Sequence, residues 1–197
     1  DPDWPLIKLG DVCAFKRGPF GGSLKKEIFV KTGYKVYQQK NAIYNDFSLG
    51  SYYVTPEKYE EMKKFSISEN DLIVSCSGTM GRIAIVPKEF QKGIINQALL
   101  RLSPNQEKIL PKFLKIMLES EFIQKKYFTN TQGAAIKNVA SVKVLKGIEI
   151  PLPSLNIQEI LVEKIEQEIN IINANKELID RFEAKISDCI KRVWEEG

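Results

Sequence analysis

Four short stretches of this chain gather side-chain types that contact nucleic acid. Lys16–Ser23 carries Lys16 and Arg17 ahead of Gly18, Pro19, Phe20, Gly21 and Gly22. Gln39–Tyr44 opens with Gln39, Lys40 and Asn41. Ser77–Arg82 presents Ser77, Thr79 and Arg82 around Gly78 and Gly81. Thr131–Asn138 offers Gln132, Lys137 and Asn138 beside Gly133. The planar fork of arginine suits guanine O6 and N7, and side-chain amides suit adenine. Lysine serves phosphate as a mobile point charge. Arg82 and Gln132 are therefore the expected base readers, and Lys16, Lys25 and Lys137 the expected backbone contacts. Glycine lets main chain approach a phosphate closely, but Gly78 and Gly81 are also what a plain tight turn requires.

Other chemistries find less support. The chain has no histidine, which removes Ser-His and Cys-His pairs and histidine-based metal sites. Cys13, Cys76 and Cys189 are odd in number and far apart, with no CxxC pattern, so neither a disulfide framework nor a zinc site is expected. Reduced thiols and a cytoplasmic location follow as expectations. No glycine-rich adenosylmethionine motif and no Asn/Asp-Pro-Pro-aromatic motif occurs. Glu61-Met62-Lys63 and Glu183-Ala184-Lys185 match the short piece of a metal-dependent nuclease set. Both fall on helix-like stretches, where such spacing is ordinary solvated surface. No catalytic residue, metal or cofactor is expected. No apolar run reaches the ~18 residues that crossing a membrane takes.

The positioning elements divide the chain. Up to Pro153 it has short β-rich runs separated by turn signals. Tyr34–Gln39, Asp71–Ser75, Arg82–Val86 and Ala98–Leu102 read as strands. Trp4–Gly10 reads as an opening strand or turn, and Phe15–Ser23 as a loop. Thr55 and Pro56 mark the start of a helix reaching about Lys64. Leu110 to about Phe128 keeps helical apolar spacing. Ile148–Pro153 is extended, because residues before proline avoid the helical region. From Ser154 a long helix follows. Ile165, Ile172, Ile179, Ile186 and Val193 fall every seventh position, as in a coiled-coil seam. Leu161, Glu168, Asn175, Phe182 and Cys189 occupy the companion position, with further apolar residues alongside. So broad a face predicts packing on more than one helix. Glu168 and Asn175 either set the register of the seam or lie at its solvent edge.

The expected domains are 1–153, a globular head, and 154–197, a helical stalk. Charge follows that division. Residues 1–155 carry 23 Lys+Arg against 15 Asp+Glu, and residues 156–197 carry 6 against 10. A basic head suits a polyanion, and an acidic stalk suits protein. A coiled-coil scaffold with an incidental basic head is the competing reading.

The order of several motifs resembles the DNA-specificity subunit of type I restriction–modification systems. They run Trp4…Leu9-Gly10-Asp11, Asp71-Leu72-Ile73-Val74-Ser75…Ser77-Gly78-Thr79-Met80-Gly81-Arg82, Ile94-Ile95-Asn96-Gln97-Ala98-Leu99-Leu100-Arg101-Leu102, Gly133-Ala134-Ala135…Lys137-Asn138 and Ile148-Glu149-Ile150-Pro151-Leu152-Pro153. The resemblance implies an α/β head with a curved mixed sheet and a long C-terminal coiled-coil helix. It also implies that the head reads one half of a split DNA target, with Ser77–Arg82 and Thr131–Asn138 near the DNA. The chain would be non-catalytic. Its partners would be double-stranded DNA, a DNA adenine methyltransferase subunit and a restriction/translocase subunit. The stalk, through Ile165, Ile172, Ile179, Phe182, Ile186 and Val193, would pair with a second copy or a second recognition half. Full subunits of that family carry two heads and two stalks, so the chain is expected to be a half-subunit, an excised half, or part of a fused methyltransferase.

Overall fold

A computed structural model describes residues 3–128 and 140–195. The chain forms two compact units, divided between Gln158 and Glu159. The strands of the first unit are β1 (Leu6–Lys8), β2 (Cys13–Arg17), β3 (Tyr34–Tyr37), β4 (Tyr53–Val54), β5 (Leu72–Ser75), β6 (Ile83–Ile85), β7 (Gly93–Ile95), β8 (Leu99–Pro104) and β9 (Glu149–Pro151). Its helices are α1 (Gln39–Ile43), α2 (Pro56–Glu61), α3 (Pro111–Glu119), α4 (Glu121–Ile123) and α5 (Val142–Lys146). The long helix α6 (Leu155–Glu195) begins there and makes up the described part of the second unit.

The strands are shared among three sheets. An antiparallel sheet runs in the order β2-β8-β5-β6, and a mixed sheet in the order β4-β3-β7. In the second, β3 is parallel to β7 and antiparallel to β4. A third pair, β1 with β9, fastens the start of the head to its end. β5 has neighbours on both sides, and Leu72, Ile73 and Val74 are wholly buried, as an uninterrupted apolar run requires. Successive side chains of a strand point to opposite faces. Tyr37 and Ile95 therefore join Ile73, Ala84 and Leu99 in one core. Val36 and Ile94 join Leu24, Val54 and Met62 in another.

Expectation and structure agree on a mixed α/β head followed by a long helix. Thr55 caps α2, with its hydroxyl accepting from Lys58 N at 3.3 Å, and Pro56 occupies the first turn. Three segments differ. Phe15, Lys16 and Arg17 do not lie in a loop; they pair with Leu102, Arg101 and Leu100 of β8, and the loop begins at Gly18. Gln39–Ile43 is a short helix rather than a loop. The segment after Leu110 is not one helix. Ser120 leaves the helical region at ψ 143°, its hydroxyl donates to Met117 O at 2.7 Å, and the chain resumes as α4 and a π-helical turn, Gln124–Phe128.

The first unit reaches past the expected boundary at Pro153 because Gln158 is locked into it. Leu110 N donates to Gln158 Oε1 at 2.9 Å, and Gln158 Nε2 donates to Lys108 O and Pro153 O, each at 2.9 Å. α6 spans 41 residues, about 60 Å at ~1.5 Å per residue. No helix among the described residues is long and apolar enough to cross a membrane.

The cysteines fall into two classes. Burial pushes the Cys13 thiol up to about 12 and the Cys76 thiol up to about 11, while Cys189 is exposed. Thiolate is the reactive form. At pH 8 an alkylating reagent should therefore modify Cys189 first, more slowly where the helix is paired. Cys13 and Cys76 should react only on unfolding. Peptide mass mapping against time checks the order, and early labelling of Cys76 would contradict the buried placement.

Candidate nucleic-acid interface

Several of the residues expected to meet nucleic acid come near one another, because the end of β2, α1 and the β5–β6 turn are neighbours in the head. Gly18 ends β2, with its N–H donating to Leu99 O at 2.9 Å. A Cβ at Gly18 would lie 1.8 Å from Asn96 O, so glycine alone lets this strand end rest on the Asn96–Gln97 backbone. The turn after β5 is closed by Ser75. Its N–H donates to Arg82 O at 2.9 Å, and its hydroxyl donates to Thr79 O at 2.6 Å and accepts from Arg82 N at 3.0 Å. Gly78 and Gly81 supply the positive φ the turn needs, +61° and +74°.

Three open clefts run into one another across this end. The first, about 630 Å³, has Lys16, Arg17, Phe20, Lys64, Phe65 and Gln97 in its walls. The second, about 150 Å³, shares Gln97 and adds Lys26, Asn96, Gln38 and Tyr52. The third, about 360 Å³, shares Gln38 and Tyr52 and adds Gln39, Lys40 and Ser51. Ser77 Oγ then donates to Gln39 Oε1 at 3.1 Å, joining α1 to the turn that carries Thr79 and Arg82. Beyond the turn, Gln124 Nε2 donates to Gly81 O at 3.1 Å, which seats the π-helical turn against it. Ala140 N donates to Tyr127 O at 3.1 Å, which holds the start of the chain after residue 139 against the π-helical turn.

The electrostatics of the strip favour anions. Lys16 and Lys64 place their ammonium groups 5.2 and 5.3 Å from the Phe65 ring centroid. Glu61 is the one carboxylate lining the three clefts, and Lys58 pairs with it at 2.8 Å. The Arg17 guanidinium lies close enough to partly offset the effect of burial on the Cys76 thiol, which places it at the start of the turn. Arg82 is exposed. Burial pushes the nearby Glu119 carboxyl above its ordinary range, against the pull of Lys115 and of Arg82.

Lys16, Arg17, Gln39 and Lys40 thus line adjoining clefts, Ser77 is hydrogen-bonded to Gln39, Thr79 and Arg82 belong to the turn that Ser77 begins, and Lys25 is exposed next to Lys26. Gln132, Lys137 and Asn138 lie outside the described residues. Asn41 does not reach the surface and is a correction to the expected contacts. It is fully buried; its Nδ2 donates to Asp46 O at 2.8 Å and Leu49 O at 2.9 Å, and its Oδ1 accepts from Gln38 N at 2.8 Å. Asn41→Ala should cost about 3 kcal/mol of head stability, because buried main-chain groups lose their partners. Urea unfolding measures the loss, and base preference should not change. Lys26, Gln38, Lys64, Asn96 and Gln97 also line these clefts and were not singled out from the sequence. Asn96-Gln97 was within reach, as an amide pair between two apolar runs.

The nuclease-like sets do not assemble. Glu61 pairs with Lys58 and Lys63 with Glu60, and Glu183 and Lys185 lie along α6. No group of three or more His, Cys, Asp or Glu among the described residues is arranged to hold a metal. On the second unit Ile172, Ile179, Phe182, Ile186 and Val193 are 49–74% exposed. Ile165 continues their column.

A sequence profile described as the type I restriction modification DNA specificity domain matches residues 2–184. The Escherichia coli type I restriction enzyme EcoBI specificity subunit is 28% identical over 133 residues, covering 68% of this chain and 28% of that protein. The Methanocaldococcus jannaschii MjaVIII specificity subunit is 25% identical over 199 residues, covering 95% of this chain and 45% of the relative. The chain therefore spans less than half the length of either relative. Among solved structures, the HsdS subunit of Thermoanaerobacter tengcongensis superposes with a TM-score of 0.64 at 20% identity, over 88% of this chain and 39% of that one. A chain from a structure addressing complex assembly of the type I R-M system gives 0.69 at 20% identity, over 94% and 43%. These superpositions establish likeness of fold.

Proposed function

This chain belongs to the type I restriction modification DNA specificity domain family, and from that premise we propose that its head reads one half-site of a split DNA target. The observation that carries the reading is the continuous strip of cations and amides. Lysine and arginine supply affinity through phosphates, while Gln38, Gln39, Asn96, Gln97 and Arg82 offer groups matched to base edges. Half-sites read by two heads bind together, so the stalk adds avidity by pairing with another such helix. The chain catalyses nothing by itself in this reading. It docks a DNA adenine methyltransferase subunit and, in a larger assembly, a restriction/translocase subunit. Its working unit is a head ending near Pro153–Gln158 and a stalk beyond, in the cytoplasm.

Selection from a random duplex pool tests this reading directly. The full chain should enrich a defined motif, and light scattering should show complex mass rising with that duplex. Failure to enrich any motif, with self-association intact, would leave the coiled-coil scaffold as the better account.

A further inference from the structure

Phe20 is 92% exposed, the most exposed large apolar side chain among the described residues of the head. Its backbone is not loose. Pro19 before it is buried, Gly18 is seated on Asn96, and Ser23 N donates to Phe20 O at 2.9 Å. A ring held in water on a pinned loop is apolar surface that a partner can cover at little cost in loop ordering. The surroundings identify that partner's chemistry. Phe20 borders the cleft whose walls carry Lys16, Arg17 and Lys64, and that cleft's single carboxylate is already paired with Lys58. A polyanion that also offers flat apolar faces is nucleic acid.

We propose that Phe20 is a DNA wedge: its ring enters a base step of the duplex while Lys16, Arg17 and Lys64 hold the flanking phosphates. The proposal rests on the DNA-reading role above and adds to it a distortion of the bound duplex. Apolar side chains inserted between base pairs unstack them and kink the helix. Specificity then arises partly from how easily the step unstacks, with pyrimidine–purine steps favoured. Gly18 and Gly21–Gly22 flank the ring with no side chains to obstruct its approach to the bases.

The test uses the full chain and a duplex selected by it, with a fluorescent purine analogue walked along one strand. The wild-type chain should brighten the analogue at one step. At saturating Phe20→Ala that signal should vanish. Affinity should fall on the order of tenfold to a hundredfold, the range of losing one base–aromatic stack. The salt dependence should not change, because no phosphate contact is removed. A mismatch at the identified step, which unstacks it in advance, should raise wild-type affinity. Brightening that persists in Phe20→Ala, or an affinity equal to wild type, overturns the wedge and leaves DNA reading standing. A wild-type chain that selects no duplex overturns the DNA reading, and the wedge with it.

Discussion

Replacing Ile172 and Ile179 together with aspartate should convert the assembled chain to a monomer while its head stays folded. Both residues lie in the column of every-seventh isoleucines, 49% and 55% exposed. Fully burying an isoleucine yields about 1.5–3 kcal/mol, and these side chains have about half of their surface left to bury, so the four of a pair contribute about 3–6 kcal/mol. The aspartates remove that gain and add carboxylates that must be desolvated, shifting the dissociation constant by several decades. Sedimentation measures the mass, and near-ultraviolet circular dichroism reports the head. A double variant that keeps its wild-type mass would sink the pairing role. Oxidation gives the orientation: Cys189 residues face each other in a parallel, in-register pair and are far apart in an antiparallel one.

That face was the most legible part of the sequence because its signal is local. A seven-residue repeat needs no knowledge of what lies elsewhere. The Thr55–Pro56 helix start is equally local, and it stands where its residues predict. β2 was harder to see. Its residues Lys16 and Arg17 adjoin a run of glycines, and only pairing with β8, some 85 residues away, makes them a strand. β7 has three residues and takes its identity from lying parallel to β3.

The candidate interface was partly legible for a related reason. Residue type pointed to Lys16, Arg17, Gln39, Lys40, Ser77, Thr79 and Arg82; the first four line adjoining clefts, and Ser77 bonds Gln39. Type alone also pointed to Asn41, whose amide is consumed by Asp46, Leu49 and Gln38. Nothing local separates a buried amide that staples a loop from an exposed one that reads adenine. Nor does anything local mark Lys64, which comes to the first cleft because a short helical turn sets it beside Phe65. Lys35 shows the converse. It is a lysine in a basic head, yet it is buried, donates to Phe47 O and Ser48 O at 2.7 Å, and is held below its ordinary pKa by that burial.

Duplex affinity should fall steeply with salt, and the strip should separate into residues that set this slope and residues that set sequence. About five phosphate contacts give a log–log slope near −4 to −5. Lys16→Ala, Lys25→Ala and Lys64→Ala should each weaken binding to all sequences alike and make the slope less steep by about one unit. Arg82→Ala should behave differently. Its guanidinium is exposed on a turn fixed by Ser75 and backed by Gln124, so the fork is presented from a rigid base. Its loss should cost about 1–3 kcal/mol at one base pair and relax preference there. Glu119 is the local competitor for this charge. In the competing arrangement Arg82 serves Glu119, and Glu119→Gln would reproduce the effects of Arg82→Ala. In the base-reading arrangement Glu119→Gln releases the guanidinium and leaves preference intact or sharper. Binding measured across single-base variants of a selected duplex separates the two. Equal losses on every variant for Arg82→Ala would assign it to phosphate or to the fold. Base reading would then pass to Gln39 and the Asn96–Gln97 pair, whose amides occupy the same strip.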